Sequence, residues 1–171
     1  MNETIRTLLT RRSIRSYKPE LVPREALEQI VECGRFAATA MGCQPWHFTV
    51  VTDRALLDKI SAACGDPEND TFRGAPCAII VSAEKSNEMF GDIDCANATE
   101  NMAVAAKALN LGSCYIASFR RAFESAEKEN LLRALSIPAG YRPTLALAVG
   151  YALEEPKERA PRREGTVNWV E

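Results

Sequence analysis

A single domain of mixed helix and strand is what this sequence predicts, on three observations. Apolar residues recur at helical spacing in some stretches and gather as short β-branched runs in others. The 171 residues, 46% hydrophobic and 26% charged, suffice for one buried core or for one subunit of an obligate dimer. No internal repeat, linker or low-complexity stretch divides them.

The elements follow in order. Asn2 caps a first helix running through Arg11, and Pro23 opens a second, Arg24 to Phe36, with Leu27, Ile30, Val31 and Gly34 on one face. After a loop, Ala37 to Pro45, the run His47 to Thr52 predicts a short strand, and Asp53 caps a helix Arg54 to Cys64. Gly65 to Gly74 reads as a polar loop, and the apolar run Cys77 to Ala83 as a central strand. Asp94 to Leu111 predicts an Ala-rich helix stopped by Gly112. Its second half is apolar nearly all round, which places it at the centre of the fold or between subunits. A strand Ser113 to Ala117, a helix near Ser125 to Leu135, a strand Pro143 to Tyr151 and a charged, Pro-rich tail complete the chain. The tail ends in Val167-Asn168-Trp169-Val170, which wants an apolar partner.

Several chemistries are excluded. With 21 Lys and Arg against 23 Asp and Glu, the formal charge of −2 gives no global field for nucleic acid or an anionic membrane. No run approaches the length of a membrane span and the first thirty residues carry no secretory pattern, so a cytoplasmic protein is expected. The cysteines at 33, 43, 64, 77, 95 and 114 are too widely spaced for zinc ribbons or a dithiol, and read as reduced thiols. Cys33, Cys64 and Cys77 read as small apolar residues within their elements. His47 is the single histidine and reads as structural. Asp92 and Asp94 read as loop and cap residues rather than metal ligands. No two of the nine glycines stand two apart, so neither dinucleotide fingerprint nor phosphate loop can be written, and any nicotinamide nucleotide must bind transiently.

One cluster stands out. Arg11-Arg12-Ser13-Ile14-Arg15 packs three guanidiniums and a hydroxyl into five residues. Guanidinium forks donate paired hydrogen bonds and stay charged, which suits a phosphorylated ligand.

Four segments together resemble the nitroreductase family of FMN-dependent, NAD(P)H-using oxidoreductases: Arg11 to Arg15, Ala37 to Phe48, Gly74-Ala75-Pro76, and Leu111 to Ala117, joined near the end by Pro156-Lys157-Glu158-Arg159. The resemblance implies an α+β sandwich, a mostly antiparallel central sheet flanked by helices in an intertwined homodimer, built from one domain over 1–171 whose tail (about 153–171) docks on the partner subunit. It implies that Arg11, Arg12 and Ser13 meet the FMN phosphate, with Lys157 and Arg159 closing from the tail and Arg15 beside the pyrimidine edge. Ala38, Thr39, Ala40 and Gly42 would line the ring from the other subunit, and the backbone at Ala117 and Ser118 would face N5 and O4.

Two departures stand out against the family pattern. Asn69, Asp70 and Thr71 offer no cation where larger relatives have one, leaving Arg15 alone, and Glu84 to Asp92 is too short for an extended lid. Phe90, Tyr115 and Phe119 read as core or stacking residues. The implied activity is ping-pong transfer of two electrons from NADH or NADPH through FMN to an electron-poor small molecule such as a nitroaromatic or quinone, with no catalytic side chain and no metal. A specialised dehydrogenase or reductive dehalogenase on the same flavin site, and a non-catalytic flavin-binding module, are the competing readings.

Overall fold

The computed structural model describes residues 1–66, 68–156 and 158–171. Four strands make one antiparallel sheet: β1 (Trp46–Val51), β2 (Cys77–Glu84), β3 (Gly112–Ile116) and β4 (Tyr141–Gly150), in the order β1-β2-β4-β3. The long apolar strands β2 and β4 are interior, as continuous hydrophobic runs require, and alternate residues feed two cores.

Ala78 and Ile80 of β2 with Ala146 and Ala148 of β4 face one core. There they meet Leu57 and Ile60 of helix α3 (Arg54–Ala63), Phe119 and Phe123 of a 3-10 turn at Ser118–Glu124, and Leu131 of α5 (Lys128–Ala134). Ile79, Val81, Leu145, Leu147 and Val149 face the other core. They pack on Leu27 and Ile30 of α2 (Arg24–Arg35) and on Cys95, Met102, Ala103 and Ala106 of α4 (Gly91–Ala108). Helices α2 and α4 approach closely because Gly34 lacks a side chain: a Cβ there would stand 2.8 Å from Met102 Cγ. No helix is long and apolar enough to cross a membrane among the described residues.

Caps fall where short polar side chains precede helices. Asn2 accepts from the Ile5 N–H ahead of α1 (Glu3–Thr10), and Asp53 from the Leu56 N–H ahead of α3.

Three expectations are corrected. Helix α4 ends at Ala108 and the reversal falls on Asn110 at φ 59, so Gly112 is not the stop. It opens β3, where its missing side chain makes room for Ile14. Only one side of α4 is buried, with Asn97, Glu100, Asn101 and Lys107 exposed. Cys33 is exposed on α2, because its position falls off the stripe of Leu27, Ile30 and Gly34. Phe119 is core, whereas Tyr115 stays exposed.

Burial pushes the Cys77 and Cys95 thiols up to about 12, with Asp92 adding to the effect at Cys95. Their folded pKa exceeds the ordinary thiol value, so they stabilise the fold below about pH 9. That contribution is lost as pH climbs toward 12, by at most about 1.4 kcal/mol per thiol for each pH unit. Urea midpoints measured at pH 8 and pH 10.5 are expected to fall in the wild type, and to fall less in Cys77→Ala/Cys95→Ala.

Candidate functional site

The Arg11 to Arg15 segment is held by the sheet edge. Past α1 the chain turns extended and runs beside β3: Ser13 forms a parallel bridge with Ser113, and the Ile14 N–H donates to the Ser113 carbonyl at 2.9 Å. Further on, Tyr17 bridges Ala152 and the Lys18 N–H donates to the Tyr151 carbonyl at 2.9 Å. Ile14 and Tyr17 turn inward to the core, and the Tyr17 hydroxyl donates to the Ile14 carbonyl at 2.8 Å. Burial holds that phenol well above its ordinary range.

On the outer side Arg11, Arg12, Ser13 and Arg15 line a cavity of about 300 Å³ together with Arg159, Ala160, Pro161 and Arg162 from the tail. The Arg159 guanidinium donates to the Arg11 carbonyl of the same chain, and the Leu153 N–H donates to the Ser16 carbonyl at 3.0 Å. The first part of the tail therefore docks on its own subunit. Beyond it, Val167, Trp169 and Val170 are exposed, the last two by 86% and 96%.

Five guanidiniums thus share one small space. Arg11 pairs with Glu100 at 3.0 Å, but among the described residues Arg12, Arg15, Arg159 and Arg162 have no carboxylate within 4 Å. Desolvation and the neighbouring charges of Arg162, Arg12 and Arg11 lower the proton affinity of Arg159. Such an arrangement stores repulsion that an anion relieves.

A further cation was missed in the sequence. The Cys114 thiol is pushed up by burial and pulled back by Arg15, Arg73 and Arg11, which brings Arg73 into the same neighbourhood. Arg73 sits at φ 60 on a loop wound around Asp70, whose oxygens accept from the Phe72 and Gly74 N–H groups and from Arg54. Asp70 is consumed in shaping the loop. The signal for Arg73, a lone Arg before Gly74, lies two residues past the stretch that resemblance singled out.

The loop after α2 takes a left-handed path, with Met41, Gly42 and Gln44 at φ 54, 68 and 49. One polar seam on α4 pins it. Both carboxylate oxygens of Asp94, only 2% exposed, accept from the Ala40 N–H at 3.2 Å. Asn97 donates to the Ala38 carbonyl at 3.4 Å and Asn101 to the Cys33 carbonyl at 3.2 Å. Asp94 is therefore a loop anchor rather than a plain cap, and Asp92 pairs with Arg142 at 2.8 Å. Asp94→Ala is expected to cost about 1–3 kcal/mol in urea denaturation. Asp94→Asn, which keeps an acceptor for the Ala40 N–H, is expected to cost less.

Within one chain, Ala38, Thr39, Ala40 and Gly42 do not line the guanidinium cavity, and neither do Ala117, half-buried at the end of β3, and Ser118, exposed beside it. Lys157 lies outside the described residues. His47 is the second residue of β1, with its ring 5.4 Å from that of Tyr141, which is a packing contact.

Comparisons with known proteins converge. The sequence profile of the nitroreductase family matches residues 8–67 and 65–151. A protein of Methanothermobacter thermautotrophicus, whose name pairs NADH dehydrogenase with NAD(P)H nitroreductase, is 32% identical over 160 residues, 92% of this chain and 81% of that one. The FMN reductase (NADPH) of Bacillus subtilis is 28% identical over 184 residues, covering 95% of this chain and 72% of its own. A nitroreductase with bound FMN from Bacteroides fragilis superposes with a TM-score of 0.92 over the whole of both chains at 28% identity.

Proposed function

The chain belongs to the nitroreductase family, and from that premise we infer that it is an FMN-dependent NAD(P)H oxidoreductase that passes two electrons to an electron-poor small molecule such as a nitroaromatic or quinone. The observation that carries the reading is the guanidinium cavity: a phosphate monoester brings about −1.5 to −2 charge and three acceptor oxygens, which match a surplus of unpaired guanidinium donors and the Ser13 hydroxyl. The donor set fits the terminal phosphate of FMN.

When FMN is bound, Arg11, Arg12, Ser13 and Arg159 would hold that phosphate, and Lys157, outside the described residues, is the further cation the family resemblance assigns to it. Arg15 and Arg73 put fixed positive charge toward the pyrimidine edge, where it stabilises negative charge. FMN, when bound, supplies a two-electron relay between a nicotinamide and the acceptor, which take turns on one face. Ala38, Thr39, Ala40 and Gly42, small enough to let the backbone approach the ring, would reach it from a second copy of the chain, while the backbone at Ala117 and Ser118 would face N5 and O4. The protein is accordingly a homodimer. The dimer reading is supported by the separation of the loop from the cavity within one chain and by the exposed Val167, Trp169 and Val170, which have an apolar face of the partner to cover. Protons come from solvent, so no side chain need act as acid or base.

The purified protein is expected to carry FMN, to consume NADH or NADPH, and to be reoxidised by a quinone. A protein that takes up FMN in full yet is reduced by neither nucleotide would end the oxidoreductase reading and leave a flavin-binding module.

A further inference from the structure

On the FMN reading above, the guanidinium cavity holds one cation more than that cofactor uses. Five guanidiniums line it, and Arg11 is already paired with Glu100. A phosphate charge of about −1.5 to −2 is balanced by Arg12 and Arg159 before Lys157, outside the described residues, is counted, with Arg11 and Ser13 supplying further donors, and Arg15 belongs to the pyrimidine edge. Arg162 is left over. Its side chain is exposed, lies near enough to Arg159 to help lower that residue's proton affinity, and has no carboxylate within 4 Å among the described residues.

We propose that Arg162 forms a second anion subsite that takes the 2′-phosphate of NADPH and so selects NADPH over NADH. The chemistry of the donor favours that phosphate. It is a monoester with three terminal oxygens and up to two charges, the form a free guanidinium fork binds best, and it is the group by which the two donors differ. The pyrophosphate bridge is common to both and offers no basis for choice. A cation at the exposed rim, beside a cofactor phosphate that is already neutralised, draws in the more anionic donor.

The test uses the FMN-loaded protein and two probes, adenosine 2′,5′-bisphosphate and adenosine 5′-monophosphate, titrated calorimetrically. The bisphosphate is expected to bind the wild type more tightly. Arg162→Gln is expected to weaken bisphosphate binding about ten- to a hundredfold, the scale of one charge-assisted hydrogen bond, and to lower the ratio of kcat/KM for NADPH to that for NADH by a similar factor. Arg162→Lys is expected to recover part of both. Equal weakening of the two probes would assign Arg162 to the 5′-phosphate or pyrophosphate and overturn the proposal, as would bisphosphate binding unchanged in Arg162→Gln. A wild-type chain that takes up no FMN overturns the cofactor reading and this proposal with it, and is seen before any nucleotide is added.

Discussion

Arg159→Ala and Arg11→Ala are each expected to weaken FMN retention by about 1.5–3 kcal/mol, about ten- to a hundredfold in Kd. Arg159 comes from the tail and Arg11 from the end of α1, yet the Arg159 guanidinium donates to the Arg11 carbonyl, so the two clamp one cavity from opposite ends of the sequence. Their effects are not expected to add, because both guanidiniums line one cavity and serve one phosphate. Lys at either position keeps the charge and loses the fork, and should fall between wild type and Ala. Arg24→Ala is the control, since Arg24 is exposed and pairs with Glu28 on α2, and does not line the clamp. Fluorescence titration of FMN into apoprotein measures each variant, and wild-type affinity in both Arg159→Ala and Arg11→Ala would remove the phosphate from this cavity.

Gly112→Ala is expected to lower both FMN affinity and stability, the latter by about 1–3 kcal/mol as for an overpacked core. The added Cβ would stand 2.7 Å from Ile14 Cγ1 and 2.9 Å from Ile14 Cβ. A β-branched side chain has little rotamer freedom with which to retreat, so the Arg11 to Arg15 segment must move off the edge of β3. Relief by Ile14→Ala is the diagnostic second change: it removes Cγ1 at 2.7 Å and Cγ2 at 3.0 Å and leaves only the Cβ at 2.9 Å, so Gly112→Ala/Ile14→Ala should recover part of the FMN affinity lost in Gly112→Ala even though it costs core burial. A Gly112→Ala protein with wild-type FMN affinity and an unchanged urea midpoint would show that the segment does not depend on this contact.

Much of this was legible from local chemistry. Helix caps at Asn2 and Asp53, the central place of β2, and the concentration of guanidiniums at Arg11-Arg12-Ser13-Ile14-Arg15 all follow from residues near one another in the chain. Element ends drifted by a few residues where a left-handed residue other than glycine made the turn, as at Asn110. Cys33 escaped because a small apolar residue one step off a helix stripe carries no mark of its exposure.

The partners of the polar groups were not legible. Asp94 looks like any acidic residue in a first helical turn until α4 is laid against the loop after α2, when its carboxylate becomes the acceptor for the Ala40 N–H. Arg73 is a lone arginine in a polar loop and Arg162 is one of three in the tail, and only packing brings the first toward Cys114 and sets the second in the cavity with Arg11, Arg12 and Arg15. The sequence by itself determined which segments are helix and strand and where cationic chemistry concentrates, because propensity, capping and hydrophobic period act over a few residues. Tertiary structure alone decided which distant charges share a cavity and which carboxylate spends itself on a backbone amide, because those energies depend on separations in space that no local pattern encodes.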